Sequence, residues 1–454
     1  MDLGPVLVAN RGEIATRVIR ACRDLGVPSV AVYSDADANA PHVGLADEAV
    51  LLGGGPPAES YLDADRVLAA AVATGARAVH PGYGFLAENA EFARRCREAG
   101  LTFVGPSVDA IHGMGSKVES RRRMEAAGIP VVPGGFDPLP DQDAARAAAD
   151  SIGYPVAFKA SGGGGGRGFR VATSPAEVAS AFTGARSEGE RFFADGTVYA
   201  ERYIPDPRHV EVQILGDSHG NVIHLGERDC SVQRRHQKLI EESPGPTVDA
   251  AMRKHIGDVA VAAARAIGYE SAGTVEGLLV GADFYFLEMN TRLQVEHPVT
   301  EMVTGVDIVR EQLRIAAGEA LSFNQDDITL KGWAIECRIN AESAAKGFLP
   351  SPGEITAWTE PAGPGVRVDS GVRVGDVVTA FYDPLLAKLI VWDVDRAAAT
   401  ARMLRALREF EVAGPSTLIP FHQRLLSSAE WRDASTCRDL VTDREWLRAT
   451  SPTA

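Results

Sequence analysis

The sequence predicts an α/β and α+β architecture: a parallel α/β lobe at the N-terminus, a small glycine-tipped lobe, and a larger α+β part to the C-terminal side. Three observations carry this reading. Apolar strand-like runs alternate with amphipathic helical segments up to about residue 115. Five consecutive glycines, Gly162–Gly166, separate two strand-like segments. From about residue 210, hairpin patterns are interleaved with isolated helices.

The elements follow in order. Residues 4–9 read as a strand, and Asn10-Arg11-Gly12-Glu13 leads into a helix with Ile14, Val18, Cys22 and Leu25 on one face. A strand at Ser29–Tyr33, another at Val79-His80, a helix after Tyr83 and a strand at Leu101–Val104 complete the first lobe. Gly134 to Asp143 reads as a connector. Strands Pro155–Ala160 and Gly168–Thr173 flank the glycines, and Ser174, Pro175 and Glu177 predict a helix opened by a capping box. Strand Thr197–Tyr203 closes that lobe. Beyond it come strands near Val210–Leu215 and Val222–Leu225, a helix near Ala250–Ile267, a hairpin over Gly273–Asn290 and a helix near Ala397–Phe410.

At 454 residues the chain is expected to fold as two or three lobes around a shared cleft. A net charge of −15 argues against nucleic acid or an anionic membrane as the main partner. The N-terminus lacks a secretory pattern, and no apolar run is long enough to span a bilayer. The five cysteines are scattered without a CxxC pair, which predicts reduced thiols in a cytoplasmic protein. Only seven of the 46 basic residues are lysine, so a lysine beside a phosphate-type motif stands out.

Three constellations carry chemistry. The run Ser161–Gly168 contains a formal GxGxxG, but it joins two strands rather than a strand and a helix, and no GK[ST] follows. A glycine hairpin tip suits a mobile flap over phosphates, with Lys159 beside it; a plain surface loop would share the composition. In the hairpin Gly273–Asn290, a loop centred on Ala282 would set Glu276 opposite Glu288, with Asn290 on the same face. Carboxylates so placed call for a cation, and a hard divalent ion with oxygen ligands answers; solvated carboxylates on an edge hairpin also fit the pattern. If the chain stays extended past Asn290, Arg292, Gln294 and Glu296 continue the polar row. Arg234-Arg235-His236-Gln237-Lys238 reads as a basic loop that could meet triphosphate or bicarbonate.

The segments Ala9–Ala15, His80–Leu86, Lys159–Gly166, Glu227–Ser231, Arg234–Lys238, Glu288–Arg292, Gln294–Glu301 and Glu336–Glu342 together resemble biotin carboxylases, over about Val6 to Trp446. The resemblance implies an N-terminal Rossmann-like domain (1–115), a linker and start of an ATP-grasp fold (116–132), a lid (133–203), the catalytic part of the ATP-grasp (204–332) and a C-terminal domain (333–447). It implies ATP and Mg²⁺ or Mn²⁺ as cofactors, and biotin as a carrier-bound substrate. Lys117, Lys159, Gly165 and Gly166 then correspond to phosphate and lid contacts. Glu201, Arg202, Tyr203 and Ile204 correspond to the adenine hinge, and His209, Gln233 and His236 to further nucleotide contacts. Glu276, Glu288 and Asn290 correspond to metal ligands, with the two glutamates also counted in the nucleotide site. Lys238, Arg292, Gln294 and Val295 correspond to the bicarbonate pocket, Glu296 to the general base and Arg338 to the biotin-facing group.

The implied function is ATP-dependent carboxylation of biotin by bicarbonate through carboxyphosphate. This is the first half-reaction of an acyl-CoA carboxylase acting toward acetyl- or propionyl-CoA, a leaning drawn from Phe410-Glu411-Val412 and Ile419-Pro420-Phe421-His422. The implied partners are a biotin carboxyl carrier protein or domain, a second copy of the chain and a carboxyltransferase subunit. No lysine here is flanked by methionine, so biotin is expected on a separate carrier. Val275 and Gly277 stand where aromatics are common, Arg202 where lysine is frequent, and Asp24 where glutamate often supports the dimer. The rivals are another ATP-grasp ligase that forms a different acyl phosphate and a nucleotide-binding regulatory protein without turnover.

Overall fold

A computed structural model describes residues 3–161, 168–193 and 195–450. The first lobe is a five-stranded parallel sheet in the order Glu48–Gly53, Ser29–Ser34, Val6–Val8, Ala78–His80, Thr102–Phe103. The order reverses about Val6–Val8, and this central strand is buried throughout, as a parallel sheet covered by helices requires. Helix Gly12–Asp24 turns Ile14, Val18 and Cys22 into the core. The helix expected after Tyr83 starts only at Ala90, where Asn89 caps it. Gly82, Gly84 and Phe85 take positive φ and hold the intervening chain in a coil that no helix can enter.

The small lobe is an antiparallel sheet, Phe169–Ala172, Val156–Ala160, Val198–Arg202, backed by helices Gln142–Ile152 and Val178–Phe193. The expected capping box does not form. Pro175–Glu177 is a 3₁₀ turn, Ser174 makes no capping bond, and Glu177 reaches back to the Thr173 backbone N–H (2.7 Å) and hydroxyl. The tighter turn carries Glu177 past the Ser174 amide, so the carboxylate caps one residue earlier. Gly165 and Gly166, with the rest of 162–167, lie outside the described residues.

The large sheet has eight strands: Asp283–Asn290, Ser271–Val280, Arg208–Gly216, Val222–Arg234, Gln237–Ser243, Trp333–Asn340, Leu385–Asp393 and Val366–Ser370. It crosses the boundary expected at residue 332, since Trp333–Asn340 pairs with Gln237–Ser243. The segment 116–132, expected as a linker and the start of the ATP-grasp fold, contains helix Lys117–Ala126, capped by Ser116. The basic segment Arg234–Lys238 is a tight hairpin turn, with Arg235 and His236 at positive φ between paired strands. Among the described residues, no helix is long and apolar enough to cross a membrane.

The edge hairpin decides the site. Its tip is the two residues Gly281-Ala282, with Val280 opposite Asp283. That register alone would oppose Glu276 to Leu287. A bulge between Glu276 and Gly277 on the ladder inserts one residue and restores Glu276 opposite Glu288. The core face changes parity to match: Phe284 and Phe286 are buried before the bulge and Met289 after it. The expected pairing is therefore present, through a shorter loop plus a bulge. Gly277 leaves room for the Phe284 ring, and a Cβ there would also lie 2.8 Å from the Tyr285 carbonyl. Gly277→Ala should therefore lower stability by about 1–3 kcal/mol. An unchanged thermal midpoint would show that the ring yields freely.

Candidate active site

The small lobe, the large sheet and the C-terminal segment 436–447 line a cleft of about 1050 Å³. Every site residue expected from the sequence lines it, apart from Gly165 and Gly166, which are outside the described residues. The strand alternation that brings them together is simple. On Arg208–Gly216, Val210, Val212 and Ile214 enter the core, while His209, Glu211 and Gln213 take the other face.

At the floor of the cleft Lys238 joins three carboxylates: Glu211, Glu276 (2.9 Å) and Glu296 (2.7 Å). Burial alone would discharge this ammonium, but the three carboxylates outweigh it and raise it well above its ordinary range. Glu276 Oε1 also accepts from Asn290 Nδ2 (2.8 Å) and Gln294 Nε2 (2.5 Å). His209 Nε2 lies 2.9 Å from Glu276 Oε2, off the hydrogen-bond axis. Burial opposes charge on His209, yet Glu276 and Glu211 raise it.

The chain does not stay extended past Asn290. It turns, and Glu296 stands at the start of helix His297–Thr304 without a side-chain capping bond, its carboxylate left to the cleft. The polar row still converges because the turn is pinned from several sides. Arg292 bonds Glu88 (2.9 Å) and the Asn290 carbonyl oxygen Oδ1 (3.1 Å), and Glu88 also takes the Thr291 N–H. Lys388 donates to the Val295 carbonyl (2.8 Å), which fixes the peptide expected to meet bicarbonate. Arg338 donates to Glu241 (2.7 Å) and Glu296 (3.0 Å). Burial would raise the Glu296 carboxyl, but Lys238, Arg338 and Arg228 together hold it below the usual carboxylate range.

At the other end of the cleft Lys117 lies 3.2 Å from Glu288, and Lys159 pairs with Glu201. The Glu201 carboxylate is buried against Arg121 and Lys159, and the Arg202 and Tyr203 N–H groups donate to Pro133 (2.7 Å) and Pro155 (3.0 Å), so the expected hinge Glu201–Ile204 has backbone carbonyls and the Ile204 amide, not that side chain, to offer a base. Arg202 is exposed, so its exchange for lysine leaves the hinge backbone alone. Gln233 donates to the Cys230 carbonyl (2.8 Å), and His236 sits at the basic turn.

The residues for a divalent cation can be tested on this arrangement. Glu276 and Glu288 are cross-strand partners, and Asn290 is two residues on, so the oxygen donors are hard and adjacent. Their charge is currently met by Lys238 on one side and Lys117 on the other. The groups already within ligand distance of one another are different: His209, Glu211 and Glu276, and Glu211, Cys230 and Glu296. Those sets bring softer donors and enclose Lys238, so the Glu276–Glu288–Asn290 set fits magnesium or manganese better.

The sequence reading missed Glu211, Glu241 and Glu88, and gave Arg228 no role within the segment Glu227–Ser231. Arg228 is wholly buried and donates to Glu211 (2.5 Å), Gln213 (2.8 Å), Thr300 (3.0 Å), Thr274 (3.2 Å) and Gln294 (2.7 Å). The alternation His209, Glu211, Gln213 was the signal that a strand here turns a polar face inward.

Comparisons with known proteins cover the chain. Residues 3–111 match the model for the biotin carboxylase N-terminal domain, 116–324 the carbamoyl-phosphate synthase L chain ATP binding domain, and 336–443 the biotin carboxylase C-terminal domain. Biotin carboxylase 1 of Bacillus subtilis is 53% identical over 93% of this chain and 94% of its own. The biotin carboxylase of Pseudomonas aeruginosa is 51% identical over 96% of this chain and 96% of its own. Among solved structures, the biotin carboxylase domain dimer of Hydrogenobacter thermophilus 2-oxoglutarate carboxylase, in complex with MgADP, ADP and bicarbonate, superposes with a TM-score of 0.92 at 49% identity, covering 97% and 98% of the two chains. A biotin carboxylase from Campylobacter jejuni bound to a β-γ-ATP ligand gives 0.93 at 46% identity, covering 96% and 98%.

Proposed function

The chain belongs to the biotin carboxylase family, and on that premise we propose how its cleft residues carry out the family's reaction. It is an ATP-dependent ligase that carboxylates biotin with bicarbonate. The observation that carries the reading of the residues is Glu296 clamped between Lys238 and Arg338, where the ATP-grasp strands meet the C-terminal ones.

Lys117 and Lys159 bind the ATP phosphates, the backbone of Glu201–Ile204 takes the adenine, and His209, Gln233 and His236 line the nucleotide. Glu276, Glu288 and Asn290 hold the magnesium or manganese, which offsets phosphate charge when bound. Bicarbonate sits on Lys238, Arg292, Gln294 and the Val295 backbone. Its arrival draws Lys238 partly off Glu296 and so strengthens that carboxylate as a base. Glu296 takes the bicarbonate proton, and the freed oxygen attacks the γ-phosphorus as ADP leaves. Carboxyphosphate then breaks into CO₂ and phosphate inside the closed cleft, where water cannot intercept it. Phosphate takes the ureido N–H proton, the nitrogen bonds CO₂, and Arg338 meets the enolate-like ureido oxygen. One proton is left on Glu296 and returns to solvent.

The assay is ADP release with and without bicarbonate and with and without free biotin. We expect absolute bicarbonate dependence and stimulation by biotin. Release that ignores bicarbonate would point instead to another acyl-phosphate-forming ligase. Biotin is delivered by a separate carrier protein or domain, whose tether raises its local concentration. A carboxyltransferase receives the product, the chain pairs with a second copy, and the enzyme works in the cytoplasm. Relatives are named for pyruvate, 2-oxoglutarate and methylcrotonoyl-CoA carboxylases. We propose an acyl-CoA acceptor; His422, in the segment that suggested it, faces the Arg338 carbonyl at 2.8 Å. Reconstitution with carrier and carboxyltransferase, comparing acetyl- and propionyl-CoA with pyruvate, tests the choice.

A further inference from the structure

Behind Arg338 the large sheet buries an acidic pair that the proposed reaction does not use. Glu241 and Glu336 are register partners across Gln237–Ser243 and Trp333–Asn340, so their side chains leave the same face side by side. Both are wholly buried. Glu241 Oε1 accepts from Arg338 Nε at 2.7 Å. Glu241 Oε2 and both oxygens of Glu336 meet no donor of the protein.

The groups facing the pair are Lys238 on the Glu241 strand, Arg338 on the Glu336 strand, Glu296 from the turn, Lys388 from the next strand, and the thiols Cys230 and Cys337. Burial keeps both thiols neutral. The two ammoniums are committed elsewhere: Lys238 to Glu211, Glu276 and Glu296, and Lys388 to the Val295 carbonyl and Glu13 (3.2 Å). Two ionised carboxylates would thus face one guanidinium that Glu296 already shares. Such a buried excess of charge is relieved by taking up a proton. A proton on one carboxyl also supplies the donor that three oxygens lack.

We propose that Glu241 and Glu336 hold one proton between them at neutral pH, and that this pair, through Glu241, positions Arg338 with a single negative charge rather than two. The inference rests on the reading of Arg338 as the biotin-facing group. Glu241 is then a positioning residue and Glu336 the regulator of its charge. With one charge behind it, the guanidinium is oriented yet free to shift toward the ureido oxygen; with two, it is held back. Burial, with only partial relief from Arg338 and Lys388, pushes Glu241 up to about 7 and Glu336 well above its ordinary range, in keeping with a proton that titrates as a property of the pair.

The test is infrared difference spectroscopy on the full chain at mildly alkaline pH, in H₂O and D₂O. Wild type should show a protonated-carboxyl band that shifts in D₂O. Glu336→Gln should lose it, because Glu241 alone beside Arg338 is ionised. Glu241→Gln should keep it, because Glu336 remains buried away from Arg338. No such band in wild type, or an unchanged band in E336Q, overturns the pair, and the wild-type measurement stands even if a variant fails to fold. In kinetics, E241Q should reduce carboxybiotin formation by ~10–100-fold, as loss of an orienting outer partner does. Biotin-independent ATP cleavage should fall less. Equal losses would overturn the positioning role. If R338Q leaves carboxybiotin formation intact while the infrared pattern holds, the reading of Arg338 fails and the positioning role with it, but the shared proton stands.

Discussion

Glu296→Gln should abolish most turnover while leaving nucleotide binding near normal. Loss of a general base costs ~10²–10⁴-fold in rate. Glu296 is well suited to a clean test because it does not touch the lysines assigned to phosphate: its oxygens meet Lys238 at 2.7 Å and Arg338 at 3.0 Å, while Lys117 and Lys159 face Glu288 and Glu201. An amide keeps the shape and one acceptor oxygen, so the fold should survive. The pH sign is also fixed. Lys238, Arg338 and Arg228 outweigh burial and depress Glu296, so its base form is present above that depressed value and is lost only as pH falls through it. Activity at neutral pH should therefore not fade on mild acidification through Glu296 itself. Bicarbonate-dependent ADP release and nucleotide affinity are the two measurements. Near-normal ADP release by E296Q would remove this residue from the mechanism.

Much of this site was legible because strand alternation is a short-range code. Period two placed Glu288 and Asn290 on one face, an assumed loop centre at Ala282 set Glu276 opposite them, and the ladder does pair Glu276 with Glu288. The route to that pairing was not legible. A two-residue loop with a bulge and a three-residue loop without one give the same register there, and a bulge depends on packing, here of Phe284, Phe286 and Met289. The row from Arg292 to Glu296 converges for a reason alternation could not supply. Tertiary partners distant in sequence, Glu88 and Lys388, pin a turn where an extended strand was expected. Glu211 escaped notice, and Arg228 was given no role within Glu227–Ser231, because their value lies in mutual contact across neighbouring strands, and a charged residue within a strand reads as solvated until its neighbours are known. The continuity of the large sheet past residue 332 was not legible either: composition shows where a connection lies, but not that the strand after it joins the sheet before it.

Arg338→Gln should uncouple the two stages, so that ATP is consumed without matching carboxybiotin. Removing one donor to a developing oxyanion costs ~10²–10³-fold. That loss should fall on carboxybiotin formation, because Arg338, on strand Trp333–Asn340, pairs with Glu241 and Glu296, whereas Lys117 and Lys159 pair with Glu288 and Glu201. The geometry also predicts a smaller effect on the first stage. Arg338 is one of three cations that hold Glu296 ionised, so its loss leaves Lys238 and Arg228 to do so. Glu296 then becomes somewhat more basic without losing its other ion pair, and bicarbonate-dependent ATP cleavage should change far less than carboxylation. Glu241 would meanwhile lose its donor and take up a proton more readily, since burial and Glu296 both favour the neutral form. The buried excess of negative charge is thereby relieved, which lets the variant fold. The measurement is the ratio of ADP released to carboxybiotin trapped, with free biotin at saturation. A ratio that stays at the wild-type value while both rates fall by one factor would show that Arg338 serves the site as a whole and has no separate part in the second stage.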